Sequence, residues 1–537
     1  MESVWRKQTK NINVKKEQMS GKTGVLPGIS CFQEKGLLNV QSGHSKAGSN
    51  SWDVIVVGAG MAGLLTAYYL KREGLNVLVL EAKTIASGQT ERTTAKITSQ
   101  HDLKYDKLIK TVGLRKAWMY ARANEDAIQE YERLIREEKI ECDFKRVSSY
   151  LYTTQSEEKQ TVGGDIEKGH HRLKVVNNTE LLKKEEEAAK QLGIDASFTR
   201  ETELPFKVTG ALCFKNQAQF SPLQFIEAII SKMLNEKNEG KVEILEHTKV
   251  LDIKGNRVKT GKAVFTADKI IVTTHYPVLN LPGFYFLRQH QERSYVLALT
   301  GCKRFEDMYY GIDKSGLSFR QAGDYLLLGG GGHRTGENEQ GGSYDLLAET
   351  AHRYFPKCTE VTRWSAQDCM PHDGIPFIGK YSLFTPHLYV ATGFQKWGMT
   401  SSMIAAMILR DELCGTDNPY KKLFTPQRMN FRAGFPNLIH DVGMSVKGLW
   451  NGAFDFPRDA ASSLPNGHGG IVSIHRKRYA CYRDENGELH KISARCPHMG
   501  CELTWNPDEK SWDCPCHGSR FDVDGNLLDN PAKVGVD

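Results

Sequence analysis

From Trp52 onward a short apolar run, Val54–Val57, leads into a longer apolar segment reaching Leu70, and a second short run follows at Val77–Leu80. This order predicts a buried strand, a helix and a second buried strand, the βαβ unit of a parallel sheet. Helical spacing of apolar positions recurs at Leu114–Glu138, Leu181–Leu192 and Ser401–Leu413. Strand-like runs recur at Val242–Leu245, Lys269–Thr273, Tyr325–Leu328 and Leu388–Ala391. The mixture predicts an α/β domain interleaved with a sheet-rich domain. From Gly470 onward, short runs separated by turns such as Glu485-Asn486-Gly487 and Asp524-Gly525-Asn526 predict a small all-β module.

Where the pattern fails, connectors are expected. Residues 1–50 are rich in Lys, Gln, Ser and Gly without a sustained period, which predicts a flexible extension. Residues 415–463 are polar and Pro-containing or irregular, which predicts a linker between a domain at 51–414 and a module at 464–537. A length of 537 residues requires more than one core. The 71 basic and 64 acidic residues differ by only seven charges, which gives no ground for a nucleic-acid partner.

Val54–Leu70 is apolar, but Gly58, Gly60 and Gly63 interrupt it at a spacing with another explanation, so no transmembrane segment is expected. The N-terminus has lysines but no apolar signal core. Four of the twelve cysteines fall within Cys496–Cys516 and eight are scattered, unlike a secreted disulfide framework, so the expected setting is cytoplasmic.

The glycines at 58, 60 and 63 form G-x-G-x-x-G between the first strand and the helix, and the second strand ends at Glu81. Glycines permit the turn and close approach of a pyrophosphate to the helix N-terminus, and the acid can bind ribose hydroxyls. A packing turn would explain the glycines but not the acid. The run Gly329–Gly332 is followed by no helix pattern and is expected to be a loop, so a second nucleotide-binding domain is not predicted.

Near the C-terminus stand Cys496-Pro497-His498-Met499-Gly500-Cys501 and Cys514-Pro515-Cys516-His517-Gly518-Ser519. Cys and His on two neighbouring loops can grip one metal centre. A [2Fe–2S] cluster with thiolates on one iron and imidazoles on the other satisfies that count. A structural zinc site is the alternative, though it leaves two cysteines and the Gly/Pro pattern unexplained.

Both loops resemble those of Rieske proteins of the respiratory-complex type. The resemblance implies Cys496, His498, Cys514 and His517 as cluster ligands, a Cys501–Cys516 disulfide, and Ser519 as donor to a bridging sulfide. It also implies that the imidazole edge lies nearest the surface as the exit to an acceptor. The family's usual loop-two tyrosine is replaced by Phe521, which removes a donor to sulfur and should lower the potential. A lid segment, Asn530-Pro531-Ala532, is present, but the family's closing strand is not, so a truncated module is expected.

Asp373-Gly374-Ile375-Pro376, then Gly393-Phe394, then Gly398-Met399-Thr400 leading into a helix, resemble the second FAD-contacting region of the D-amino-acid oxidase and glycine oxidase family. The resemblance implies a Rossmann-like FAD-binding domain. It implies cofactor contacts at Gly58, Gly60, Gly63, Glu81, Gly393, Gly398, Met399 and Thr400, with Thr93 and Thr94 on the pyrophosphate-side loop. Relatives carry a carboxylate-binding arginine five residues before the motif's aspartate; here that position is Asp368. An amino-acid carboxylate would meet a carboxylate there, which favours an amine-like donor. His372 and Asp373 are the candidate catalytic residues. Cys369 is expected to be an ordinary buried cysteine, and Trp364 and Trp397 packing residues.

The whole chain is similar to bacterial fusions of such a flavoprotein with a Rieske module. The expected function is an FAD-dependent oxidoreductase, a dehydrogenase that oxidises a small amine-like reductant. Electrons would then pass through the iron–sulfur cluster to a one-electron acceptor protein or quinone. The alternative is an electron-transfer or redox-sensing protein without dedicated small-molecule turnover.

Overall fold

The computed structural model describes residues 2–8, 52–161, 173–235, 240–428, 464–475 and 477–537. The first sheet is built on β1 (Trp52–Val57), which runs through helix α1 (Met61–Arg72) into β2 (Val77–Leu80). Strands β1 and β2 pair in parallel with Val54 beside Val77, and β2 pairs in parallel with β3 (Val242–Leu245). On the other side β1 pairs in parallel with β4 (Val264–Val272), which pairs in parallel with Leu388–Thr392. The central strands are buried on both faces, so they read as continuous apolar runs rather than alternating ones. Helix α1 is buried on nearly every side and packs against helix α2 (Gly398–Cys414).

A second, mostly antiparallel sheet holds β5 (Gln289–Thr300), β6 (Tyr325–Arg334) and β7 (Thr359–Pro371) at one end. Strand β5 lies between β6 and β7. In the β5–β7 ladder Gln291 faces Cys369, Glu292 faces Asp368, Arg293 faces Gln367 and Ser294 faces Ala366. Side chains alternate across a strand, so this register assigns each pair to one face of the sheet. A disulfide joins Cys302, just past β5, to Cys358, just before β7.

The C-terminal module consists of two small antiparallel sheets. One contains Gly469–Ile474, Lys477–Arg483 and Leu489–Ser493; the other runs from Thr504–Asn506 to Leu527–Asp529. Its own core includes Tyr482, Trp512 and Phe521.

Four sequence expectations change. The helix expected from Leu181 begins at Asn178, whose predecessor Asn177 caps it by accepting from Glu180 N at 2.9 Å. Gly329–Gly332 lie inside β6 rather than in a loop. Residues 2–8, expected to be flexible, are packed, with residues 4–8 helical and Trp5 1% exposed. The expected linker begins with a packed stretch: Phe424 is fully buried and Tyr420 N is held by Asn418 at 2.9 Å. Its remainder, residues 429–463, lies outside the described residues.

Candidate functional site

The glycine turn is built by backbone contacts that exclude side chains. Gly58 has φ +110°, and a Cβ there would meet Thr273 O at 2.9 Å. A Cβ on Gly63 would lie 2.0 Å from Gly58 O, so α1 and β1 can approach this closely only with glycine. Gly60 differs: its Cβ would meet only Thr90 Oγ1, at 3.3 Å, leaving a slot along the start of α1. Glu81 is held at this turn by Ala59 N at 2.9 Å and Lys83 N at 2.8 Å. Thr90, in the short helix Gln89–Arg92 that leads into Thr93 and Thr94, accepts from Met61 N at 3.0 Å. The open glycine slot, the acid and the facing loop fit a dinucleotide's pyrophosphate and ribose.

Thr93 and Thr94 share a cavity of about 280 Å³ with Lys96, Tyr310, Lys396, Gly398 and Met399. The structure thus brings the expected pyrophosphate-side loop together with Gly398 and Met399 at the start of α2, whereas Gly58, Gly60, Gly63, Glu81, Gly393 and Thr400 do not line this cavity. Gly393 has φ +75°, and a Cβ there would lie 2.4 Å from Pro371 Cγ. Thr400 donates to Thr98 O at 3.3 Å.

A second cavity of about 560 Å³ shares Asp102, Tyr310, Lys396 and Trp397 with the first. Its wall includes His101, stacked on Trp397 with ring centroids 4.7 Å apart. Trp397 is therefore a cavity wall as well as a packing residue. Lys396 Nζ lies 3.2 Å from Glu292 Oε2. Burial raises the Glu292 carboxyl, but a hydrogen bond from His290 and the Lys396 charge outweigh it and hold it at about 2. Asp368 is pushed up to about 7, first by burial and then by Glu292, against the pull of Lys396. Asp102 is also raised by burial and takes the left-handed conformation at φ +60°, unusual for a residue with a side chain. Asp102, Glu292 and Lys396 escaped the sequence reading because they lie in three distant segments.

His372 lines the larger cavity and stacks on His290 at 6.0 Å. Asp373, expected to be catalytic, is instead engaged by the Arg428 guanidinium at 2.7 and 3.0 Å and accepts from Ile375 N at 3.2 Å. These bonds tie Asp373 to Arg428 and to the turn that carries Ile375. Cys369 is buried on the opposite face of β7 from Asp368.

The C-terminal loops converge. Cys501 and Cys516 form a disulfide with Cα atoms 6.6 Å apart, so neither is available to a metal although both lie near Cys514. The His498 and His517 rings are 4.9 Å apart. Cys496 shares a hydrogen bond with Cys514, and Ser519 and the backbone N–H groups of His498 and Met499 also point at its sulfur, pulling it down to about 7. Cys514 is driven upward, chiefly by Cys496 and by burial, while the backbone N–H groups of Cys516 and His517 pull it down. His498 Nε2 meets Asn280 Oδ1 at 2.9 Å, which makes Nε2 the protonated nitrogen. Its Nδ1 is buried with no hydrogen-bond partner among the described residues. Two sulfurs cradled by donors and a buried imidazole lone pair fit a cluster held by Cys and His. Ser519 Oγ accepts from Ala532 N at 2.9 Å, so the lid segment covers the loops.

The imidazole edge was expected at the surface, and here the structure differs. His517 is buried with its ring 5.9 Å from Phe286, and Gln291 Nε2 donates to its carbonyl at 2.8 Å. The module docks through this edge because β5 and β7 present polar groups to it. Gln367 Nε2 donates to Gly518 O at 2.7 Å, and Arg293 pairs with Glu509 at 2.9 Å.

Comparison with known proteins agrees with this division. A family model of FAD dependent oxidoreductases matches residues 53–412, and one of Rieske [2Fe-2S] domains matches residues 456–537. A Bacillus subtilis (strain 168) protein described as a Rieske 2Fe-2S iron-sulfur protein, YhfW, is 35% identical over 490 residues, covering 89% of this chain and 92% of the relative. A cytochrome b6-f complex iron-sulfur subunit of Trichormus variabilis is 49% identical over 51 residues, 9% of this chain and 29% of that one. Glycine oxidase from Bacillus cereus has a similar fold, with a TM-score of 0.54 at 17% identity, over 71% of this chain and 99% of that one. The first family binds FAD and the second a [2Fe–2S] cluster. No helix among the described residues is long and apolar enough to cross a membrane.

Proposed function

For a chain that belongs to the FAD dependent oxidoreductase family and carries a C-terminal Rieske [2Fe-2S] domain, we propose oxidation of a small amine-like donor. Its electrons pass from the flavin to a cluster held by Cys496, His498, Cys514 and His517, and on to a one-electron acceptor. The observation that carries this is the two-faced β5–β7 ladder. Glu292, Ser294, Ala366 and Asp368 line the cavities, while Gln291, Arg293 and Gln367 hold the cluster module. One sheet layer separates the donor cavity from the cluster loops.

FAD, when bound, supplies hydride acceptance. The chain's part is to select and deprotonate the donor. Asp102, Glu292 and Asp368 disfavour a substrate carboxylate around the part the two cavities share, where Lys396 is already engaged by Glu292; Arg92, Lys96 and Lys314 line the smaller cavity and Lys104, Lys107 and Arg334 the larger. Asp368, titrating at about 7, accepts a proton from an ammonium donor and so prepares the neutral amine. The His101–Trp397 stack and His372 wall the larger cavity. Tight docking of the cluster loops holds the second centre at fixed distance from the cavity.

The test is an anaerobic screen of primary amines, N-methyl amines and amino acids for bleaching of the flavin absorbance. Carboxylate-free amines should reduce the flavin and then the cluster. Broad failure, combined with ready reduction by a protein donor, would replace this reading by an electron-transfer or sensing role.

A further inference from the structure

We infer that residues 2–8 form a latch on the flavin-binding loop, with Trp5 as its positioning residue. The Trp5 indole is 1% exposed, and its Nε1 donates to Thr93 O at 2.7 Å. The Arg320 guanidinium lies over its ring at 5.0 Å. Arg6 pairs with Glu91 of the same loop. The other side of the segment is tied to the second sheet: Thr362 donates to Glu2 O at 2.7 Å, Lys7 to Val361 O at 3.1 Å and Gln8 to Ala322 O at 3.2 Å. The segment therefore bridges the loop and the sheet.

What it holds is specific. Three successive carbonyls of the loop are each held by a different donor from a distant part of the chain. Arg92 O accepts from Trp364 Nε1 at 2.8 Å, Thr93 O from Trp5 Nε1, and Thr94 O from Arg320. With its carbonyls drawn to that side, the loop keeps Thr90 against the start of α1 and Thr93 and Thr94 on the wall of the smaller cavity. Trp5 supplies the middle tie and comes from outside the matched flavoprotein region, residues 53–412. A loop lacking that tie must be ordered by the cofactor itself, and that ordering weakens binding. The inference rests on the reading that residues 90–94 border the FAD pyrophosphate.

The test uses the full chain carrying both cofactors. Trp5→Phe keeps an aromatic ring at the site while removing the N–H donor and part of the indole's volume; Trp5→Ala removes the ring altogether. One buried hydrogen bond is worth about 1.4 kcal/mol, a factor of about ten. Trp5→Phe should therefore bind FAD about tenfold more weakly on reconstitution of apoprotein, release it faster on dilution, and show an altered flavin absorbance envelope. The cluster's EPR signal should be unchanged, which reports intact folding. Trp5→Ala should lose more FAD. Unchanged FAD affinity and spectrum in Trp5→Phe would overturn the latch. If Gly60→Val releases FAD in the same assay, only the latch has failed; if Gly60→Val also retains it, the placement of the pyrophosphate has failed with it.

Discussion

Gln291 donates to the backbone carbonyl of His517 at 2.8 Å and, through the same nitrogen, to Asn530 O at 3.0 Å, joining β5 to both the second cluster loop and its lid. A Cβ on Gly518 would lie 2.7 Å from the Gln291 side chain, so the contact is close-packed as well as polar. Gln291→Met should leave two buried carbonyls without this donor and weaken docking by about 1–3 kcal/mol. Hydrogen exchange at residues 515–519 should rise. In stopped flow, substrate should reduce the flavin at the native rate while cluster reduction lags. Coincident, native-rate reduction of both centres would detach this contact from electron transfer.

The pH dependence of donor oxidation should follow Asp368. With its carboxyl raised to about 7, the basic form is present above that pH and lost below it, so kcat/KM should rise through pH 7 and level off. Asp368→Asn should lower kcat/KM by about 10²–10⁴-fold, the usual range for a general base, and abolish the inflection. An inflection that persists in the variant would assign it to another group.

Docking should itself be acid-sensitive. Burial raises the Glu509 carboxyl, but the charges of Arg293, across the contact, and of Arg520 outweigh it and hold it below the ordinary range; Asp529 is depressed too, chiefly by Arg520 of its own module and further by Arg92 and Arg293 across the contact. A carboxylate depressed in the folded state stabilises above its unfolded pKa, and that contribution is lost as pH falls through the folded value. Module docking should therefore hold at neutral pH and weaken below about pH 4. Arg293, whose side chain is 0% exposed, leaves buried anions behind when removed. Arg293→Met should destabilise by about 3–5 kcal/mol, read as a lowered melting transition.

Two glycines of one turn should fail differently. Gly63→Val places atoms on Gly58 O and should impair folding of the first sheet. Gly60→Val meets only Thr90 Oγ1, so the chain should fold, with its cluster EPR signal intact, and yet release FAD. Full FAD occupancy in Gly60→Val would relocate the pyrophosphate.

For the cluster, two iron and two labile sulfide per chain are expected, with the low average g of mixed Cys/His ligation. His517→Ala should lose this signal and keep FAD; Cys514→Ser should lose both the cluster and turnover with the external acceptor. Stoichiometric zinc in anaerobically prepared protein would refute the assignment.

The features legible in the sequence are those whose physics is local. A glycine turn between strand and helix, an acid at the end of the next strand, and Cys and His on short loops each declare themselves within a few residues, because backbone geometry and ligand spacing confine them there. Continuous apolar runs likewise marked β1, β2 and the strand Leu388–Thr392, which are buried on both faces. Strands β5 and β7 were illegible for the opposite reason. Gln289-His290-Gln291-Glu292-Arg293-Ser294 and Ser365-Ala366-Gln367-Asp368 show no apolar alternation, since one face lines a polar cavity and the other a docked domain. Only tertiary structure could decide that Asp373 belongs to Arg428, that Trp5 belongs to Thr93, and that the His498 edge turns inward to Asn280. Each is a pairing between groups tens to hundreds of positions apart, and a polar side chain carries no sign of its partner until the fold buries the two together and makes the unpaired state costly.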